Sequence, residues 1–306
     1  LTLYYDSPEK MVVDWDIYAP FLDVKQVVGI ITNSGQQVPK KKTTADNFSR
    51  EMTSVIEKCQ VLLSLKADKM VYSKLEATNA KATVLLVNNE VIVKNGSVES
   101  SGGNISFEGK LAPYKNDFIL KSNTKINKVN IAKFLTSVNN FGIVSFKPNN
   151  LEGFLTASAS VQGKLLASGE LKTNSLSGTA HFNVNQGALI NFKPITNVAK
   201  FAFPFRDVNN IIFRTLSGGF EINGELVNVN ELKVSSNVIN LDVNGVYSFG
   251  SGTNLAMTIP LRNPKNDQLI KNKAERAEKR YNGIVLHLLA IDEDGKVKIK
   301  WDKNHE

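Results

Sequence analysis

The sequence predicts a mainly β protein, built from antiparallel strands with a few short amphipathic helices, and three observations carry that prediction. Turn-forming Asn, Ser and Gly are spread along all 306 residues instead of pooling in one linker, as a many-stranded β protein requires. The hydrophobic share of 42% is enough for an extensive core and excludes disorder of the whole chain. From Gly178 to Leu261 the chain alternates strand and turn, with Asn-Gly punctuation and one short apolar helix, and no catalytic motif interrupts it.

Residues 1 to 19 read as paired strands, with Val12, Val13, Trp15 and Ile17 interleaved by Asp14 and Asp16 before Pro20 breaks the run. The two carboxylates share one side of the strand, where a surface position outweighs an acid pair or a metal site. Residues 33 to 47 are polar and contain Lys40-Lys41-Lys42, read as a solvated loop in preference to a targeting or phosphate-binding cluster. A helix is expected over 48 to 59, because Phe48, Met52, Val55, Ile56 and Cys59 fall on one stripe. That stripe either packs on a core or gates an apolar groove.

The strongest internal signal is a repeat. VIVKNGSVESSGGNISFEG at 91 to 109 aligns without gaps with VNVNELKVSSNVINLDVNG at 227 to 245, a shift of 136 positions. The alignment pairs Val91 with Val227, Val93 with Val229, Val98 with Val234, Ile105 with Leu241 and Phe107 with Val243. Two copies of one hairpin with an apolar face are expected, and these ten residues are the candidate lining of a groove.

Between the copies, Ile131, Phe134, Leu135, Val138 and Phe141 keep helical spacing, with Gly142 as the stop. Leu151-Glu152-Gly153, Val161-Gln162-Gly163, Gly169-Glu170-Leu171 and Leu176-Ser177-Gly178 suggest a meander turning every eight residues or so. Asn191-Phe192-Lys193-Pro194 opens a third helix, with Phe192, Ile195, Val198 and Phe201 as candidates to cap an open groove end. Residues 264 to 280 form a charged connector, helical or mobile. Ile284 to Ile291 and Lys296 to Trp301 then read as a hairpin around Asp294-Gly295, which is turn chemistry and not a calcium loop.

The net charge of +8 and the pI near 9.3 suit an acidic partner, but no RNA-binding signature, zinc-finger spacing or basic helix accompanies them, so no nucleic-acid partner is expected. The single cysteine, Cys59, precludes an intramolecular disulfide. No apolar run is long enough for a transmembrane helix, and the chain opens on Leu1 inside a strand, as a trimmed fragment would. There is no G-x-S-x-G, Walker A or G-x-G-x-x-G, and His181, His287 and His305 share no ligand spacing, so neither an enzyme nor a metal or other cofactor is expected.

GTAHFNVNQGALINFKPITNVAKF, FEINGELVNVNELKVSSNVINLDVNGVYSF and LAMTIPLRNP resemble the C-terminal region of the AsmA family of bacterial envelope proteins, closest to members from Bacteroidetes. The likeness extends through Val61 to Gly109 and into Gly295 to Asp302; its markers are Asn191 to Pro194, Ser235-Ser236, an Asn244-Gly245 turn, Ile259-Pro260-Leu261 and Lys298 to Asp302. The resemblance implies an elongated, curved, taco-like β-groove related to TamB, projecting into the periplasm from an inner-membrane helix that this chain lacks. It implies binding of phospholipid or other acyl-chain lipid, contact with bacterial membranes and possible envelope proteins, a role in phospholipid transport or outer-membrane homeostasis, and no catalytic residues. Within it, 1–120 reads as the N-terminal part of the groove, 121–263 as the AsmA-like part with capping helices, and 264–306 as connector and terminal hairpin. About sixteen strands at roughly 4.8 Å would give a groove only about 77 Å long, which favours a carrier or one segment of an assembly over a complete bridge. The alternative is a structural or adhesion-type β-sandwich that closes its apolar faces on each other and binds a protein or glycan.

Overall fold

The computed structural model describes residues 2–4, 12–27, 60–143, 147–166, 168–192, 207–236, 238–262, 266, 270–293 and 296–303. Fifteen strands hydrogen-bond to one another in chain order: β1 (Thr2–Tyr4), β2 (Val12–Asp23), β3 (Gln60–Tyr72), β4 (Leu75–Val87), β5 (Glu90–Ser100), β6 (Gly103–Tyr114), β7 (Asp117–Asn130), β8 (Leu151–Leu165), β9 (Leu171–Ile190), β10 (Asn210–Asn223), β11 (Leu226–Ser236), β12 (Asn240–Ser248), β13 (Asn254–Pro260), β14 (Val285–Glu293) and β15 (Lys296–Trp301). β1 and β15 are its two edges. Among the described residues the short helices α1 (Ile131–Ser137) and α2 (Lys273–Lys279) accompany the strands, and the chain is mainly β as its composition predicts. Contacts divide it into two compact units, Leu1–Asn127 with Ser158–Gly178, and Lys128–Ala157 with Thr179–Glu306.

The expectation of antiparallel strands needs one amendment in unit 1: β2 and β3 pair parallel, from Val12 opposite Gln60 to Asp23 opposite Val71. Alternation along a strand is the same in either pairing. Only the connection differs, because parallel neighbours need a crossover of a dozen or more residues. The predicted loop 33–47 and helix 48–59 fall in that connection and lie outside the described residues. Pro20 does not end the strand as expected, since β2 runs on to Asp23. β1 covers only Val12 to Asp14, so at Pro20 the strand is paired with β3 alone, and that register skips Pro20 between Ala19 opposite Ala67 and Phe21 opposite Lys69.

The repeat is present in the hydrogen-bond register. Val98 pairs with Ile105 and Val93 with Gly109 in β5–β6; 136 positions later Val234 pairs with Leu241 and Val229 with Gly245 in β11–β12. Each hairpin also carries a bulge at the same place, between Val93 and Gly96 in the first and between Val229 and Leu232 in the second. The bulged residues Asn95 and Glu231 both take left-handed backbone, φ 52° and 48°.

Several glycines read as turns lie inside strands. β8 and β9 run for 15 and 20 residues through Gly153, Gly163 and Gly178, in place of a meander turning every eight. Gly178 is required by crowding, since a Cβ there would lie 2.1 Å from the Ser160 carbonyl oxygen. Asn244-Gly245 is likewise the middle of β12, not a turn. Gly245 holds φ +126° and a Cβ would meet the Asn254 carbonyl oxygen at 2.3 Å, while the Asn244 side chain accepts from the Glu231 backbone N–H at the bulge, 2.8 Å away.

Helix α1 is shorter than its pattern predicts. Asn130 caps it by accepting from the Lys133 N–H, and Ile131, Phe134 and Leu135 are buried, but the helix stops at Ser137. Asn140 and Phe141 then take left-handed backbone, which turns Phe141 off the buried stripe and leaves it exposed, its ring edge-on to Phe134.

In unit 2 the charged connector is helical over α2, capped by Asn272. Just beyond it, Arg280 forms an ion pair with Asp242 of β12 at 3.2 Å, and the Tyr281 hydroxyl donates to the other oxygen of the same carboxylate. β12 is consequently covered on both sides: Ile239 through Val243 are all buried. The first hairpin has Ser106 at the position equivalent to Asp242, and its Asn104 remains exposed.

Candidate functional site: the apolar face of unit 1

The register of β2 to β7 sorts side chains onto two faces. Val13, Trp15 and Ile17 stand level with Val61, Leu63 and Leu65 of β3, which pair in turn with Leu86, Val84 and Ala82 of β4. Leu86 and Val84 pair with Val91 and Val93 of β5, and these with Leu111 and Gly109 of β6. The opposite face carries Asp16, Lys66, Lys81, Lys94, Glu108 and Lys110, all exposed, which is where the two N-terminal carboxylates also belong. Period-two alternation, held in register across neighbouring strands, is what segregates the faces.

The apolar face is only partly covered. Val13, Val61 and Leu86 form a buried cluster at one end, with Leu63, Val84 and Val91 packed against it. Trp15, Ile17, Leu65, Val93 and Phe107 are half-buried, so a second apolar layer does not seal them. Gly96 lies under Phe107, where a Cβ would come within 2.5 Å of the ring, so glycine there lets the ring lie flat on the strand.

Unit 1 also curls. β3 and β9 are six strand steps apart in the sheet order, which in a flat sheet would separate them by about 29 Å. Yet the Tyr72 hydroxyl, at the end of β3, donates to the Gly169 carbonyl in the β8–β9 turn at 3.3 Å, and Lys25, just past β2, pairs with Glu170 at 3.3 Å. Burial pushes the Tyr72 hydroxyl above its ordinary pKa, which keeps it a proton donor. The same unit holds an open cavity of about 570 Å³ across β5 to β9, bordered by apolar residues such as Val93 and Val161 and by the charged Lys94, Glu108, Lys110 and Lys121. That volume is in the range of small-molecule sites.

All ten groove candidates from the repeat lie on the apolar faces of their hairpins. Val98 and Ile105 are buried, and Val91, Val93 and Phe107 are half-buried in unit 1; in unit 2 Val229, Val234, Leu241 and Val243 are buried and Val227 is half-buried. Of the helix-cap candidates, Phe192 is half-buried, while Ile195, Val198 and Phe201 lie outside the described residues. Sequence reasoning missed Lys25, Tyr72, Gly169 and Glu170, because only the curl brings them together. It also missed Asp242, which stands where the first copy of the hairpin has Ser106.

Among the described residues no group of His, Cys, Asp or Glu could hold a metal ion, and no helix is long and apolar enough to cross a membrane. Compared with family models, with curated proteins and with solved structures, the chain matches none.

Proposed function

We propose that this chain is a non-enzymatic, AsmA-like periplasmic protein that holds lipid acyl chains against the apolar face of unit 1. In this reading it contributes to phospholipid transport between inner and outer membranes or to outer-membrane homeostasis, works with envelope proteins, and is tethered to the inner membrane by a helix preceding this chain. The observation that carries the reading is a curled sheet whose inward apolar side chains stay half-buried around Trp15, Val93 and Phe107. Each methylene of an acyl chain laid there would gain about 0.8 kcal/mol, so affinity needs no specific polar contact. The sequence resemblance to AsmA C-terminal regions supports the same conclusion.

The test is to purify the protein from bacterial membranes and examine it by native mass spectrometry and lipid extraction. Phospholipid should co-purify with the wild type and be lost from Val93→Asp, with the circular dichroism spectrum unchanged. Val93 suits this test because it is only half-buried and tolerates a carboxylate better than the buried Val243. Recovery of lipid-free protein with a dry, tightly packed interior would sink the idea and favour a structural or adhesion-type role, with a protein or glycan partner.

A further inference from the structure

We propose that the lysine-bearing face of β3 to β7 in unit 1 is a docking surface for an anionic lipid bilayer. It is the face opposite to the one assigned to acyl chains, so the two assignments stand or fall separately. The register lines its side chains up in rows. Lys66 of β3 is directly opposite Lys81 of β4, and that row continues through Ser97 and Ser106 to Lys125 of β7. A second row runs from Leu62 through Leu85 and Ile92 to Lys110 and Lys121, where two lysines are again directly opposite each other. Lys94 lies between the rows, level with Thr83, and all six lysines are exposed.

Two lysine–lysine pairs on one face work against the fold, because like charges directly opposite on neighbouring strands repel. Acidic neighbours relieve this only in part. Glu90 pairs with Lys110 at 2.7 Å and Glu108 is exposed on the same face, while Asp68 and Glu99, farther along their strands, are held by Tyr18 and Asn79. Among the described residues Lys66, Lys81, Lys94, Lys121 and Lys125 form no ion pair. An external anionic surface supplies the missing counter-charge, and each lysine near it adds to the attraction. The row of Leu62, Leu85 and Ile92 selects a bilayer over other polyanions. These side chains are half-buried on a face where alternation otherwise places polar residues, so apolar groups stand directly beside the lysines. That combination suits a lipid interface, with the apolar groups at the headgroup boundary and the long lysine stems reaching phosphates. A nucleic acid or a free phosphate has no use for the apolar row.

The experiment measures co-sedimentation with vesicles of equal parts phosphatidylglycerol and phosphatidylcholine, and with vesicles of phosphatidylcholine alone. Wild type should partition onto the first and not the second, and raised salt should weaken the binding. Lys66→Gln with Lys81→Gln should weaken it roughly thirtyfold, the effect of two lysines near an anionic bilayer. The same double variant should unfold at an unchanged or higher urea midpoint, since a repulsive pair is gone, which a merely structural role for these lysines would not give. Lys271→Gln with Lys303→Gln, exposed positions in unit 2, removes the same net charge and should leave partitioning within about twofold of wild type. Equal partitioning onto both vesicles, or none onto either, overturns the docking surface. So does an equal loss in the unit 2 variant, which would make net charge alone the cause, and so does wild type that binds a DNA duplex but not the anionic vesicles. Phospholipid that co-purifies with wild type should be retained by Lys66→Gln with Lys81→Gln. Wild type that carries no lipid yet partitions as expected overturns the acyl-binding reading and leaves this surface standing.

Discussion

Asn95 and Glu231, 136 positions apart, hold the same left-handed backbone at the same bulge of two hairpins. Asn is at home in that conformation, whereas Glu is not. A β-branched residue would be worse, since left-handed backbone costs an L-residue with a full Cβ roughly 1–2 kcal/mol. Glu231→Val should therefore lower the urea midpoint, whereas Glu231→Asn, which copies the first hairpin, should leave it unchanged or raise it. Equal midpoints for the two variants would mean the bulge is not fixed by backbone conformation. The exposed Lys233–Glu231 pair, lost in both, contributes little to the difference.

Asp242 anchors the connector through two partners at once. Its side chain is only 9% exposed and that of Arg280 16%, so removing one charge leaves the other largely desolvated. Asp242→Asn should cost on the order of 3 kcal/mol. Replacing both partners, Asp242→Leu with Arg280→Met, should cost less than that single change. Denaturation midpoints of Asp242→Leu, Arg280→Met and the double make the cycle, and a double variant destabilised by the sum of the singles or more would contradict the ion pair. Hydrogen exchange in α2 should rise in Asp242→Asn before the rest of unit 2 responds.

Tyr281 supplies a pH signature for the same contact. Burial, then the hydrogen bond to Asp242 and its negative charge, push the phenol up to about 12, against the nearby Arg280. In the unfolded chain it titrates near 10. The native state thus keeps a proton that the unfolded chain loses, and the stability this contributes is fully present below about pH 10 and is lost as pH rises through about 12. Wild type should lose stability relative to Tyr281→Phe across that window, and absorbance of the ionised phenols should show a late-titrating component that Tyr281→Phe removes. Parallel stability curves for the two proteins would place the hydroxyl outside the contact.

Alternation and the repeat were enough to identify strands, the terminal hairpin, and the faces on which Val91, Val93, Val229 and Val243 stand. These are local properties, fixed by period-two patterning and by side chains that must share a face. The parallel β2–β3 pair was hidden because pairing direction leaves no mark on a strand's own residues. Gly178 and Gly245 misled for a related reason: a glycine needed because a neighbouring carbonyl comes close looks, in one dimension, the same as a glycine that turns the chain. The contact of Tyr72 with Gly169 was beyond reach altogether, since it depends on the summed twist of several intervening strands. Asp242 was legible only as a departure from Ser106 of the first copy, in a hairpin that also carries Glu231 and Lys233, and its partners lie in a connector whose docking face no periodicity announces.

Strand order that follows chain order from β3 to β15 makes this sheet a nearly one-dimensional array, in which each strand's hydrogen bonds reach only the strand before and the strand after. Cohesion in such an array is additive and short-ranged, and a lesion in one strand weakens two junctions directly. A duplicated hairpin can then diverge at one copy, gaining Asp242 and a docked connector, while the other keeps Ser106 and an uncovered polar face. Length itself becomes an adjustable property, set by how many hairpins are strung together and by no closure condition.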